Sequence, residues 1–245
     1  CYLAYLPSSA TAGTLVLVND AGDAGGPFAG ALTVPGPGII TNSQCSVNGA
    51  GTSASMSGDT LTLTLNMTFA PGYAGNRVVY AAARDLAGNN SGWHAKGVWT
   101  VPGVTPQPTR VTSLSPARST VNTVTLTTQF ADDSGFADLS VLNLLIHDAI
   151  DGRNACYVAY VQSIATLVLV NDAGDAGGPF AGAVTIPGSG TAANSQCSIN
   201  AALSSVSGSG STLTLTLHIT FAGSFAGDRI VYAAARDNSG NNSGW

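Results

Sequence analysis

The chain has 245 residues, of which 44% are hydrophobic and only 9% charged, and its formal net charge is −5. This length is enough for one and a half to two domains, each with a core of its own. The acidic balance argues against nucleic acid as a partner. No apolar run approaches the ~18 residues that a membrane span needs.

The sequence repeats itself at long range. The eighteen residues 14–31 recur unchanged at 166–183, and this register of 152 residues holds from Thr14 to Trp93. The stretch 94–155 has no second copy, so the sequence predicts two unequal units. One unit, residues 1–103, lacks its N-terminal strands, and the other, residues 104–245, lacks its last strand. Either the sequence is a window on a longer array, or a neighbouring subunit supplies the missing strands.

Alternating apolar and polar residues predict strands along the whole chain. The clearest case is the segment 60–69, TLTLTLNMTF, where Leu61 and its alternate neighbours share one face and threonines occupy the other. In the second copy His218 replaces Asn66 on the polar face, where we expect it to be solvated. In chain order, the predicted strands span residues 2–6, 15–18, 60–69, 77–84, 121–130, 139–147, 157–161, 167–170, 212–221 and 229–236.

The fold class predicted from these strands is all-β. No window shows a helical period, and 30 glycines discourage helices further. Short strands separated by Gly, Pro, Asn and Asp clusters favour tandem two-sheet sandwiches of immunoglobulin type, with a β-barrel as the alternative.

The four cysteines fall as one pair in each copy, Cys1 with Cys45 and Cys156 with Cys197. Pairing within each copy is the economical interpretation, since the spacing suggests no zinc site. One disulfide in each unit would imply an oxidising compartment, so we expect a secreted or cell-surface protein.

The segment 72–93, GYAGNRVVYAAARDLAGNNSGW, combines an aromatic residue, an alternating strand and the pattern A-x-D-x-x-G-N-x-S. It resembles the penultimate strand and final hairpin of bacterial immunoglobulin-like repeats, modules of large secreted or surface proteins. The resemblance implies architecture rather than activity. The aromatic residue is Tyr73 in one copy and Phe225 in the other, so at this corner we expect the ring to matter more than a hydroxyl.

The repeated loop NDAGDAGG is the best candidate for a ligand site. It places Asp20 and Asp23, and again Asp172 and Asp175, three residues apart on a glycine-rich turn. Calcium prefers such oxygen ligands, although the EF-hand frame is missing. The competing interpretation is that these side chains only close Asx turns.

Two further groups of residues are candidates for binding. Asp132, Asp133 and Asp138 form another acidic group, either a turn or a calcium site near the linker. Exposed rings near the repeated GNNSG would suit contacts with sugars, and two of the N-x-S sequons lie there. These candidates for ligand or glycan contact are Trp93, Trp245, Asn89 and Asn241.

The sequence predicts no enzyme. His94, His147 and His218 do not recur between the copies, and no nucleophile, zinc or phosphate-binding motif is present. We expect a structural repeat protein of an extracellular filament, stalk or surface array, which associates with itself or with neighbouring repeats, with strand complementation as a mechanism. The alternative is a calcium-dependent or aromatic-platform carbohydrate-binding module of a secreted protein.

Overall fold

The computed structural model describes residues 1–103 and 108–245. Within these ranges the chain is all-β, as predicted. The residues group into two compact units, Cys1–Val78 with Val98–Val104 and Val79–Gly97 with Thr105–Trp245. The predicted start of the second repeat, residue 104, lies outside the described residues.

The first repeat contributes short antiparallel sheets. Its strands, over the described residues, are β1 Leu3–Pro7, β2 Gly13–Val18, β3 Phe28–Val34, β4 Ile39–Thr41, β5 Cys45–Ser57, β6 Thr60–Phe69, β7 Gly75–Ala81 and β8 His94–Val101. The sheet orders are β1-β2-β3, β4-β5-β6 and β7-β8. A core cluster that includes Leu15, Leu17 and Val47 fills the first unit, and these three side chains are 0% exposed.

The second unit contains two larger sheets. Its strands, again over the described residues, are β9 Thr109–Ser115, β10 Thr123–Asp132, β11 Leu139–His147, β12 Cys156–Val161, β13 Thr166–Val170, β14 Phe180–Thr185, β15 Thr191–Ala193, β16 Cys197–Ser209, β17 Thr212–Phe221 and β18 Ile230–Asp237. One sheet has the order β15-β16-β17-β10-β9 and the other β14-β13-β12-β11-β18.

Both sheets of the second unit turn apolar residues towards one core. Phe130 of β10, Leu144 of β11 and Leu217 of β17 are 0% exposed members of the same cluster. The alternation that predicted the strand at 212–221 sets this burial, because its leucines point inward and its threonines outward. Burial of this apolar surface is the main favourable contribution to folding of the unit.

The disulfides join Cys1 to Cys45 and Cys156 to Cys197, the pairs expected from the sequence. Cys156 begins β12 and Cys197 begins β16, so this disulfide connects the two sheets of the second unit. A cross-link over 41 residues restricts the unfolded chain and thereby stabilises the folded unit.

A short 3-10 turn holds the corner residue that differs between the copies. The Tyr73 ring stacks on Phe69 at 5.9 Å between centroids, and Arg77 lies 4.4 Å above it. In the second copy the Phe225 ring stacks on Phe221 at 6.0 Å, with its own arginine 4.5 Å above. The recurring contacts are made by the rings, which explains why Phe can replace Tyr.

Candidate functional site

The repeated acidic loops form tight turns. Asp23 accepts a hydrogen bond from the Gly25 amide at 2.8 Å, and Asp175 accepts one from Gly177 at the same distance. Gly22 lies at a φ of 79°, a conformation that favours glycine. Turn closure therefore uses one carboxylate oxygen in each copy.

The other aspartate of each loop contacts a different segment. Asp20 accepts a hydrogen bond from the Ser43 amide at 3.2 Å, and Asp172 contacts Ser195 in the same way. Because Asp20 and Asp23 bind different backbone segments, each has a structural role in the absence of a metal. Calcium binding by Asp20, Asp23, Asp172 and Asp175 stays a prediction.

A different set of carboxylates converges in the second unit. In the described part of the chain, Asp132, Asp138 and Asp237 form a group in which one carboxylate oxygen from each residue lies within 4.8 Å of the other two. Asp132 and Asp237 are 1% and 3% exposed. The Thr109 hydroxyl is 2.6 Å from the Asp132 carboxylate and 3.1 Å from that of Asp237. Four positions of the fold meet here: the start of β9, the end of β10, the turn between β10 and β11, and the end of β18.

The electrostatics of this acidic group favour the ionised form of at least one member. A hydrogen bond from the Asn241 side chain lowers the pKa of Asp237 below its usual range. Clustered carboxylate oxygens are the ligands that calcium prefers. The sequence grouped Asp132 with Asp138 but not with Asp237, which is distant in sequence. Asp133 instead binds Arg110 at 2.6 Å.

The residues proposed for glycan contact have mixed surroundings. Trp93 and Trp245 are 54% and 44% exposed, and Trp245 also packs edge-on against Tyr157 at 5.8 Å. The side-chain amides of Asn89 and Asn241 each donate to an aspartate at 2.6 Å. The two tryptophans are thus accessible, whereas the Asn amides already have partners.

The histidines occupy three unrelated environments. His94 contacts the Ser91 carbonyl at 2.7 Å, His147 pairs with Asp148 at 2.8 Å, and His218 lies 3.3 Å from the Thr125 hydroxyl. The sequence predicts a solvated His218, whereas in the structure this side chain is partly buried and contacts a residue of the neighbouring strand. The prediction of no enzymatic activity stays a prediction.

The two copies differ in the burial of the apolar face of β6 and β17. In β17 the apolar residues from Leu213 to Ile219 are at most 2% exposed. Their counterparts in β6 begin with Leu61, which is 43% exposed, and end with Met67, which is only half-buried. The same pattern of residues is therefore fully buried in one copy and only partly buried in the other, where Leu63, Leu65 and Met67 pack against the core cluster of the first unit.

The strand neighbours explain this difference in exposure. Residues 212–220 of β17 pair with β10, whereas β6 pairs with β5 and with no other strand among the described residues. Likewise β12 pairs with β11 and β13, whereas β1 pairs in this part of the chain with β2 alone. We call the apolar side chains of β6, together with the free edges of β6 and β1, the open face.

No protein-family model, curated protein or solved structure matches this chain. Among the residues that the structure describes, no helix has the length and apolarity needed to cross a membrane. The candidate sites therefore depend on the geometry and the internal repeat alone.

Proposed function

We propose that the chain is a structural repeat protein of an extracellular filament, stalk or surface array, whose modules are completed by strands of their neighbours. The observation that supports this function is the open face. The apolar side chains of β6 are only partly buried against the core of the first unit, and apolar surface left accessible beside a strand edge often marks an interaction site. Unpaired strand edges beside it favour strand addition as the way in which a partner binds.

We further propose that each complete repeat is an immunoglobulin-like sandwich. The sheet β9, β10, β17, β16 has the order expected for strands A, B, E and D, and β12, β11, β18 has the order C′, C, F. The disulfide differs from the antibody pattern, because it connects the C′ and D positions rather than B and F.

The extracellular location is supported by the disulfides. Each cysteine of the described chain is oxidised, and such bonds persist mainly outside the cytosol. Cross-linked modules with few charged residues would suit a protein that must endure harsh surroundings.

Negative-stain microscopy of the purified protein over a range of concentrations tests this function. We expect filaments or rows of beads, with sedimentation showing mass that grows with concentration. Isolated globules, together with a monomeric mass at high concentration, would contradict an assembly role.

The second candidate function is calcium-dependent or aromatic-platform carbohydrate binding. The observations that favour it are the convergent carboxylates of Asp132, Asp138 and Asp237 and the exposed rings of Trp93 and Trp245. Calorimetry with calcium, followed by a glycan array, tests it. A calcium signal that is lost in Asp138→Asn would support this function, and no heat and no glycan bound would exclude it.

A further inference from the structure

Two tyrosines at equivalent positions of the repeat contact each other within the second unit. The hydroxyl oxygens of Tyr80 and Tyr232 are 2.7 Å apart, a hydrogen-bond distance, although 152 residues separate them in the sequence. A second contact joins the same segments, because Lys96 of β8 binds Asp228 at 2.7 Å. β8 pairs with β7, which carries Tyr80, and Asp228 precedes Tyr232 by four residues. Two separate side-chain contacts therefore bring the phenols together.

The two tyrosines differ in their access to solvent. Tyr80 is 36% exposed, whereas Tyr232 is 5% exposed, and the other tyrosines of the chain are buried or half-buried. Burial and the hydrogen bond with Tyr80 raise the pKa of Tyr232, so this phenol keeps its proton at neutral pH. An oxidant in solution therefore reaches Tyr80 directly, and it reaches Tyr232 only through the contact between the hydroxyls.

This contact provides a path for a radical from the exposed ring to the buried one. A tyrosine that loses one electron and its phenolic proton becomes a neutral radical, shared between the oxygen and the ring carbons. Once Tyr80 is oxidised, the hydrogen atom of the Tyr232 hydroxyl has only the 2.7 Å hydrogen bond to cross in order to reach the Tyr80 oxygen. The exchange leaves the radical on Tyr232 and restores Tyr80. A second oxidation of Tyr80 then produces two neighbouring radicals.

We propose that Tyr80 and Tyr232 form a modification site, at which a one-electron oxidant of the peroxidase type cross-links their rings as dityrosine. A carbon–carbon bond forms between one ring carbon of each tyrosine, next to the carbon that bears the hydroxyl. The hydrogens on these two carbons move to the oxygens, so that both phenols are restored. In total the pair gives up two electrons and two protons, which convert one molecule of hydrogen peroxide into two of water.

The cross-link would connect equivalent positions of the two copies. The two disulfides restrict loops of 44 and 41 residues, one within each copy. A bond between Tyr80 and Tyr232 closes a loop of 152 residues and thereby restricts the unfolded chain further. Because the bond forms within one chain, this inference goes beyond the proposed function and does not depend on assembly.

Oxidation of the full chain at low concentration with a peroxidase and hydrogen peroxide tests the proposal. Trypsin cleaves after arginine, so it releases Tyr80 in the peptide 78–84, VVYAAAR, and Tyr232 in the peptide 230–236, IVYAAAR. We expect these two peptides as a linked pair, lighter by two hydrogen atoms than their sum and with dityrosine fluorescence. Since contact raises the effective concentration of one ring near the other, this product should exceed every other tyrosine pair by about tenfold or more.

Mass alone separates a bond within one chain from a bond between chains. The two peptides differ by one methylene group, because Val78 corresponds to Ile230. A bond between the Tyr80 rings of two molecules would therefore give a lighter product with two copies of the peptide 78–84. The proposal would be overturned if Tyr80 stayed unreacted, if it was oxidised without forming a linked pair, or if it formed only the product between molecules.

Three variants serve as matched controls. Tyr80→Phe and Tyr232→Phe each keep the ring but remove one phenol, and each should abolish the linked pair. Tyr73→Phe should leave its yield unchanged, because the second copy already has Phe225 at this position. Loss of the linked pair in Tyr73→Phe as well would overturn the assignment to Tyr80 and Tyr232.

Two further measurements test the role of the folded contact. In Tyr80→Phe the peptide 230–236 should stay unoxidised, because Tyr232 is buried and has lost its path to the oxidant. Unfolding in guanidinium chloride before oxidation should remove the tenfold preference for the linked pair. Oxidation of Tyr232 in Tyr80→Phe, or an undiminished preference in the unfolded chain, would overturn the proposal. A linked pair in a protein that stays monomeric supports this inference and contradicts only the assembly role.

Discussion

Asp85 and Asp237 hold the same position in the two copies but have different surroundings. Each accepts a backbone and a side-chain hydrogen bond from the Asn four residues later, and in each case the side-chain bond lowers the pKa of the carboxyl group. Asp237 is also 3% exposed and lies 3.1 Å from the Thr109 hydroxyl, whereas Asp85 is exposed to solvent. The same residue is thus a buried anchor in one copy and a surface turn in the other.

We predict that Asp237→Asn lowers the thermal midpoint of the second unit by roughly 3–8 °C, whereas Asp85→Asn changes it by about 1 °C or less. A pKa lowered in the folded state contributes stability that is present above the unfolded pKa near 4 and is lost as the pH falls. Asp237→Asn should therefore also reduce the acid sensitivity of the unit. Calorimetry between pH 2.5 and 7 measures both effects, and equal effects of the two substitutions would contradict the buried role of Asp237.

The equivalent tyrosines Tyr80 and Tyr232 meet through their hydroxyls at 2.7 Å. Burial first, and then this hydrogen bond, raise the pKa of Tyr232. We predict that Tyr80→Phe lowers the pKa of Tyr232, because the hydrogen bond is lost while the burial remains. A pKa raised in the folded state contributes stability below the unfolded value near 10 and loses it at higher pH. Tyrosinate absorbance during alkaline titration measures the shift, and an unchanged titration would refute the contact.

At the scale of the elements, β6 and β17 provide a matched test of burial. Leu217 is 0% exposed, whereas its counterpart Leu65 is only half-buried. We predict that Leu217→Ala costs about 2–5 kcal/mol of unfolding free energy, because it removes apolar contacts and leaves a cavity. Leu65→Ala should cost about half of that or less, since its site is partly solvated. Denaturant unfolding of the two variants measures both losses of unfolding free energy, and equal losses would mean that β6 is covered in solution.

The strands that could be predicted are those in which apolar residues recur along the segment. The segments 60–69, 139–147 and 212–221 match β6, β11 and β17 in full. The long strands β5 and β16 were not predicted, because Ser, Gly, Asn and Ala dominate them and local propensity for a strand is low. They are extended because they pair along β6 and β17. This pairing depends on the folded structure and not on the local sequence.

Less of the candidate sites than of the strands could be predicted from the sequence. Asp132 and Asp138 are close in sequence and could be named together, but Asp237 joins them only once β18 pairs with β11. The close approach of the Phe136 ring to Gly208 could not be predicted either, because it joins segments that are distant in sequence.

At the scale of the whole molecule, the two units should differ in stability. The core cluster of the second unit draws on both of its five-stranded sheets, whereas that of the first unit is smaller and borders the open face. The apolar residues of β6 gain only part of the burial that β17 obtains, so less surface is removed from water. We predict two calorimetric transitions, with the first unit unfolding at the lower temperature.

The disulfides allow each transition to be assigned, because one lies in each unit. Replacing Cys156 and Cys197 by Ala should destabilise the second unit by about 3–4 kcal/mol and move the upper transition alone. Replacing Cys1 and Cys45 should move only the lower one by a similar free energy, since the loops span 44 and 41 residues. If the upper transition followed Cys1 and Cys45, the first unit would be the more stable one, and the open face would not limit its stability. A single transition that moves in both variants would mean that the units unfold cooperatively.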